Sequence, residues 1–325
     1  MTVRPPRIGL VLGAGGVTGG AFHAGVLSAL DVALGWNPRT ATILVGTSAG
    51  SIAATTLRAG LSAADLLARA EDLPLSPEGT RLMSKVGPPR RLPPLRAAAR
   101  GQRPAEIAAV LARAAKRPFS APPWALLSSL VPEGQVSTAM ISDTIAGLFP
   151  EDWPTEPLWL CAVRQSDGRR FAFGKHDLRP PLPDVVAASC AIPGFFSPVV
   201  IGDEAFVDGG AHSPTNADVL VGEDLDLVII SSPMSATGRS VYQTSGSVVR
   251  RWSRVLLDAE ALRLRRHGIP VVAFQPTPED IAVMGMNAMD PSRRGPVARQ
   301  VHESTLRRLA RADTRARLAI LGGPR

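Results

Sequence analysis

Ser48 stands in the segment ILVGTSAGSIAAT (residues 43–55), where an apolar run gives way to small residues compatible with a helix. A bland strand-to-helix turn needs at most one glycine; this one has Gly46 and Gly50 placed symmetrically about the serine. Gly-x-Ser-x-Gly with a strand before and a helix after is the nucleophile elbow, a tight corner that displays a hydroxyl at the head of a helix. The positive end of that helix favours an alkoxide. Acyl transfer by such a serine needs two further things. A base must take the hydroxyl proton, and hydrogen-bond donors must hold the oxygen that becomes negative. The Ala49 N–H is one such donor, while Ser51 lies outside the pattern and reads as a first-turn polar residue.

More donors are on offer in GLVLGAGGVTGGAFHAGVL (residues 9–27). Gly13, Gly15, Gly16, Gly19 and Gly20 fall between a strand-like run and a helical pattern. Glycine tolerates positive φ and leaves backbone N–H groups bare at a helix N-terminus, where they can hold a negative oxygen. A phosphate loop of the nucleotide-hydrolase type would end in Gly-Lys-Ser/Thr, but Ala21 and Phe22 follow Gly20. A dinucleotide fingerprint counted from Gly13 needs glycine or alanine where Thr18 stands. It also needs an acid at a strand end about 20 residues on, and Asp31 is helical instead. Both nucleotide readings fail at the residue that matters most. The third reading is an oxyanion hole, amides aimed at a developing alkoxide, and it makes sense only beside a nucleophile.

The base has two kinds of candidate. Among five histidines, His23 and His302 fall inside helical patterns, His176 and His267 in polar or charged surroundings, and His212 just after VDGGA. His267 or His302 would satisfy a Ser…Asp…His chain order. The alternative is Asp208 in EAFVDGGAHSPTNADVL (residues 204–220), at the end of a short apolar run and followed by Gly209 and Gly210. A partly desolvated carboxylate beside a serine can act as base without histidine. The bland use of Asp-Gly is a turn.

These groups must be held by something. Strand-like runs cover residues 8–12, 42–45, 158–163, 170–173, 204–207, 225–231 and 270–274, and helical patterns cover 20–34, 48–60, 62–72, 183–191, 243–267 and 296–319. Several strands are continuous apolar runs, as expected where helices cover both faces. The alternation predicts a three-layer α/β/α fold with a mostly parallel central sheet. Residues 74–135 break the rhythm. They are rich in Pro, Arg and Ala, with helical pieces near 104–116 and 123–130 and an apolar cluster of Trp124, Leu126, Leu127 and Leu130. We read them as an insertion or lid-like subregion within one domain spanning 1–325.

Composition narrows the class. Hydrophobic residues make up 45% of 325, which suits a globular chain rather than a disordered one. The first apolar run, residues 8–12, is too short for a secretory core or a membrane span, and Cys161 and Cys190 on apolar segments read as buried thiols. A cytoplasmic protein is expected. The net charge of +8 is uneven: residues 81–118 carry +9 and residues 293–325 carry +7, leaving the rest acidic. Two basic blocks could meet an anionic membrane surface. Arginine outnumbers lysine 33 to 3, however, as a GC-rich genome alone would give.

Taken together, the residues resemble the patatin-like phospholipase family. Its members carry a glycine-rich loop after the first strand, Gly-x-Ser-x-Gly on the next βα unit and a late Asp-Gly-Gly/Ala. Here these are Gly13 to Gly19, Gly46 to Gly50 and Asp208 to Gly210, with SCAIPGFFSPV (189–199) and SPTNADVL (213–220) as approach to and exit from the aspartate. The resemblance spans at least residues 7–220. It implies a Ser–Asp dyad, with Ser48 as nucleophile, Asp208 as base, and amides of Gly13, Ala14, Gly15, Gly16, Val17 and Ala49 around the oxyanion. It also implies hydrolysis of lipid acyl esters through an acyl-serine, with no cofactor or metal and no nucleic-acid partner. Two positions depart from the pattern: Thr18 where the family often has arginine, and Ala14 where a third glycine is usual. A Ser–Asp–His esterase, a catalytically impaired lipid-binding relative and a nucleotide-binding module are the competing expectations.

Overall fold

The computed structural model describes residues 4–87, 134, 136–149, 153–237 and 247–322. The helical pieces expected at 104–116 and 123–130, the Trp124 cluster and most of the 81–118 basic block lie outside these residues.

One eight-stranded sheet organises the chain. Its strands are β1 (Ile8–Leu12), β2 (Ile43–Thr47), β3 (Leu158–Arg164), β4 (Arg170–Phe173), β5 (Val199–Ile201), β6 (Glu204–Asp208), β7 (Leu227–Ser231) and β8 (Val271–Phe274). The run β8-β7-β1-β2-β3 is parallel, whereas β4 and β6 join β3 antiparallel and β5 forms a hairpin with β6. A three-layer fold with a mostly parallel sheet is thus what the strands build. Among the strands, only β5 escapes sequence reading. Its three residues, two half-buried about an exposed Val200, stop at a turn and leave no burial signal.

Period-two alternation sorts the strand residues between two cores. Leu10, Leu12, Leu44, Leu160 and Ile229 face one side, under helices α1 (Gly16–Leu34), α6 (Leu182–Ser189) and α9 (Arg294–Leu309). Val11, Val45, Cys161, Val228 and Ile230 face the other, under Leu257, Ala261 and Leu264 of α7 (Ser247–Arg266). The remaining helices are α2 (Ala49–Arg58), α3 (Ala63–Ala70), α4 (Pro77–Met83), α5 (Ala139–Leu148), α8 (Pro278–Met284) and α10 (Ala312–Arg317). The helix expected over 296–319 is divided into α9 and α10 by a break at Ala310 and Arg311. Helix α1 is long and apolar enough by composition to cross a membrane, yet two thirds of it is buried between the sheet and α9.

One detail of the register positions the site. Strand β2 pairs with residues 158–161 of β3, and β6 pairs with 162–164. Strand β4 covers 160–163, so it takes the opposite side and β2 and β6 share one side. β2 runs parallel to β3 and β6 antiparallel. Their C-terminal ends, Thr47 and Asp208, therefore meet head to head at neighbouring residues Cys161 and Ala162.

Candidate active site

Ser48 follows β2 directly and caps α2 with φ 55 and ψ −123. That left-handed backbone is uncommon for a residue with a Cβ and stores strain of roughly 1–3 kcal/mol. The surroundings hold it there. The Ser48 N–H donates to Ser189 Oγ at 3.0 Å, the Ser189 hydroxyl donates to Cys161 O at 2.7 Å, and Ser51 Oγ donates to Ser48 O at 2.6 Å. The flanking glycines serve close approach, since the positive φ belongs to the serine. A Cβ on Gly50 would lie 1.9 Å from Leu12 O, and one on Gly46 would lie 2.6 Å from Ser51 Cα.

Asp208 ends β6, 5% exposed against 4% for Ser48. Its carboxylate accepts from the Gly210 N–H at 2.7 Å, and the Ser48 side chain lies close enough to favour its charged form. Burial pushes the Asp208 pKa up to about 6, with the Ser48 and Gly210 donors pulling against it. The two side chains that sequence analysis paired are brought together.

Asn216 fastens the two strand ends to each other. Its backbone is left-handed at φ 51, and its Nδ2 reaches Thr47 Oγ1 at 3.1 Å, Gly209 O at 3.2 Å and Ser213 O at 2.6 Å. Behind it, buried Glu260 of α7 accepts from Thr215 Oγ1 at 2.5 Å and from the Ala217 N–H at 2.8 Å, pinning the exit from Asp208.

The glycine loop supplies fewer donors than its length offered. Gly13 N donates to Ser231 O at 3.0 Å and Ala14 N to Pro214 O at 2.7 Å. Both amides are therefore spent on holding the loop, and these two residues leave the expected oxyanion set. The Gly15, Gly16 and Val17 amides at the head of α1 have no acceptor among the described residues, nor has Ala49 N at the head of α2. First-turn helix amides are left over in this way by geometry. Gly16 has φ +61, a backbone glycine alone adopts cheaply, whereas Ala14 avoids positive φ and so fits without strain. Thr18 is buried, its N–H given to Ala288 O at 3.0 Å.

His23 turns out to be part of the loop's support. It is fully buried, with Nε2 2.8 Å from Gly13 O and Nδ1 2.8 Å from Ser231 Oγ. A carbonyl only accepts, so Nε2 carries the proton and Nδ1 accepts from the Ser231 hydroxyl. Burial lowers its pKa to about 4 and keeps the ring neutral. Its position on a helix gave no sign of this, because the partners come from the loop after β1 and from β7.

Ser48, Asp208, Thr18 and Gly15 open on a cavity of about 710 Å³ whose other walls are mainly apolar, among them Ile192, Met234, Trp252, Met284 and Met289. That is a size and character suited to acyl chains. None of the five histidines lines it: His267 sits exposed against Arg263 O, His302 lies on α9 and His212 stands by Arg170 and Asp218.

The model of the patatin-like phospholipase family matches residues 10–221. The chain belongs to that family. The match takes in this patatin-like chain's loop, elbow and aspartate in one stretch. Among solved structures, VipD from Legionella pneumophila is similar at a TM-score of 0.44 and 16% identity, over 94% of this chain and 67% of that one. Human GIVD cytosolic phospholipase A2, solved with methyl γ-linolenyl fluorophosphonate, is similar at 0.42 and 14%, over 97% and 59%. The chain thus spans about two thirds or less of those chains' lengths. No curated protein matches it.

Proposed function

We propose that the protein is a lipid acyl hydrolase working through a Ser48–Asp208 dyad. The observation that supports this reading is the head-to-head meeting of β2 and β6, which brings Ser48 and Asp208 together on the wall of one mainly apolar cavity. Asp208 takes the hydroxyl proton as Ser48 Oγ attacks the ester carbonyl. The oxygen that becomes negative is steadied by amides of Gly15, Gly16, Val17 and Ala49. Collapse expels the alcohol, which leaves with the proton from Asp208, and water then cleaves the acyl-serine by the reverse sequence. The absence of histidine from the cavity lining favours this dyad over a Ser–Asp–His triad. The loop also lacks the lysine that a nucleotide-hydrolase phosphate loop carries at its end.

Labelling with a fluorophosphonate, beside turnover of a medium-chain nitrophenyl ester and a phospholipid, tests the reading. Wild type should label on Ser48. Ser48→Ala should abolish label and turnover, and Asp208→Asn should cut kcat about 10³-fold or more. Wild-type protein that neither labels nor hydrolyses any of these esters would sink the reading and leave a lipid-binding relative.

A further inference from the structure

The cavity that holds Ser48 contains a cation whose charge nothing in the dyad chemistry uses. Arg250, in the first turn of α7, is the one Lys or Arg among the described lining residues. Its Nη1 donates to Pro233 O and to Ser235 O, each at 3.0 Å. Those two bonds fix the guanidinium plane against a segment that itself lines the cavity through Pro233 and Met234. A guanidinium carries five N–H donors, so Nη1 accounts for two of them. Nε and Nη2 reach no acceptor among the described residues, and no carboxylate pairs with the group.

A structural pin is the plain explanation for the Nη1 bonds. It does not explain why a half-buried charge with spare donors should border an otherwise apolar chamber. A guanidinium in low dielectric without a counter-ion is costly. Burial alone acts on Arg250, lowering its pKa, and no acid opposes it. An anion arriving with the substrate would remove that cost, and a fork of two N–H groups matches two oxygens of a phosphate.

We propose that Arg250 recognises the phosphodiester of a phospholipid bound in the Ser48 cavity and so selects it over a neutral glyceride with the same acyl chains. This rests on the acyl-hydrolase reading above. The cation sits on the cavity wall contributed by α7, while the nucleophile and base come from the sheet. Headgroup selection and ester chemistry are thereby carried by separate elements. The shape of the headgroup beyond the phosphate plays no part in this contact.

The test compares kcat/KM on a phosphatidylcholine and on a diacylglycerol of identical chains, both dispersed in the same neutral detergent. Arg250→Gln should lower the phospholipid-to-glyceride ratio by about 10- to 100-fold, the range for losing a charge-assisted pair. Arg250→Lys should recover part of that ratio, because charge returns without the fork. Arg254→Gln, one turn along α7 and paired with Asp258, should leave the ratio unchanged. An equal fall on both lipids makes Arg250 a structural pin and overturns the proposal, as does an unchanged ratio. Binding of dihexanoyl phosphatidylcholine and dihexanoylglycerol to Ser48→Ala protein judges the proposal without turnover. The phospholipid should bind about tenfold or more tightly, and that preference should vanish when Arg250→Gln is added. A wild-type protein that hydrolyses nothing but keeps this preference refutes the hydrolase reading and not the role of Arg250.

Discussion

Asp208 carries an energetic conflict that its role as a base would explain. Burial works against its negative form, and two donors only partly compensate, so its pKa rests at about 6 against 3.8 for an unperturbed group. Two consequences follow from that position. Turnover by a dyad should fall as pH drops below about 6, because the base is then protonated. A histidine base, with its ordinary pKa near 6.5, would lose activity over much the same range, so substitution separates the two: under the dyad, replacing His267 or His302 should leave kcat within about twofold. The second consequence is for stability. The folded chain holds the Asp208 proton more tightly than the unfolded chain does. Its contribution to stability is therefore full below about pH 4 and is lost as pH rises through about 6. A shift of about two pH units corresponds to about 3 kcal/mol. Asp208→Asn, inactive, should melt higher than wild type at pH 8, and the gap should close towards pH 4 in calorimetry. A variant less stable than wild type at both pH values would show that the carboxylate's hydrogen bonds outweigh its burial.

The elbow and the loop depend on how closely strands and helices approach. Gly50→Ala would put a Cβ 1.9 Å from Leu12 O, so β1 and α2 would have to separate, and the folded yield and melting temperature should both collapse. Gly20, half-buried in α1's first turns, leaves room for a Cβ, which would meet nothing within 4 Å. Gly20→Ala should stabilise by about 0.5–1 kcal/mol, since it only restricts the unfolded chain. Asn216 offers a different check. Its side chain ties Thr47 to Gly209, so Asn216→Ala loosens the dyad without touching substrate. The expected result is a kcat lower by about 10-fold with KM nearly unchanged and slower fluorophosphonate labelling of Ser48. A change confined to KM would remove Asn216 from this positioning role.

Beyond the site, the carboxy-terminal arginines read differently in three dimensions than along the chain. β8 is an edge strand, and its outward carbonyls at Val271 and Ala273 would be bare. Arg317 donates to Val271 O at 2.9 Å and Arg308 to Ala273 O at 2.8 Å, with the Arg308 guanidinium 4.5 Å over the Phe274 ring. Arg293, Arg294 and Arg315 also donate to main-chain carbonyls. Much of the 293–325 block is thus committed to closing a sheet edge and fixing helices, a recognised guard against strand-to-strand association. Replacing Arg308 and Arg317 together by alanine should cost about 2–3 kcal/mol and promote aggregation visible by light scattering, with ester turnover per folded molecule unchanged.

Much of this protein is legible along the chain. Ser48, Asp208 and most of the sheet follow from local signals: glycines bracketing a serine, an Asp-Gly-Gly after an apolar run, and continuous apolar strands. Cys161 and Cys190 read as buried thiols and are free and buried. Such features are local because backbone conformation and burial leave their mark within a few residues. Other features depend on partners far apart in sequence. Ser189, Asn216 and His23 become supports only when β3, β2 and β7 bring Cys161, Thr47 and Ser231 to them. The Gly13 and Ala14 amides drop out for the same reason, their acceptors arriving from residues 231 and 214. Hydrogen bonds need groups within about 3 Å and correctly aimed, and only the closed fold decides which groups meet that condition.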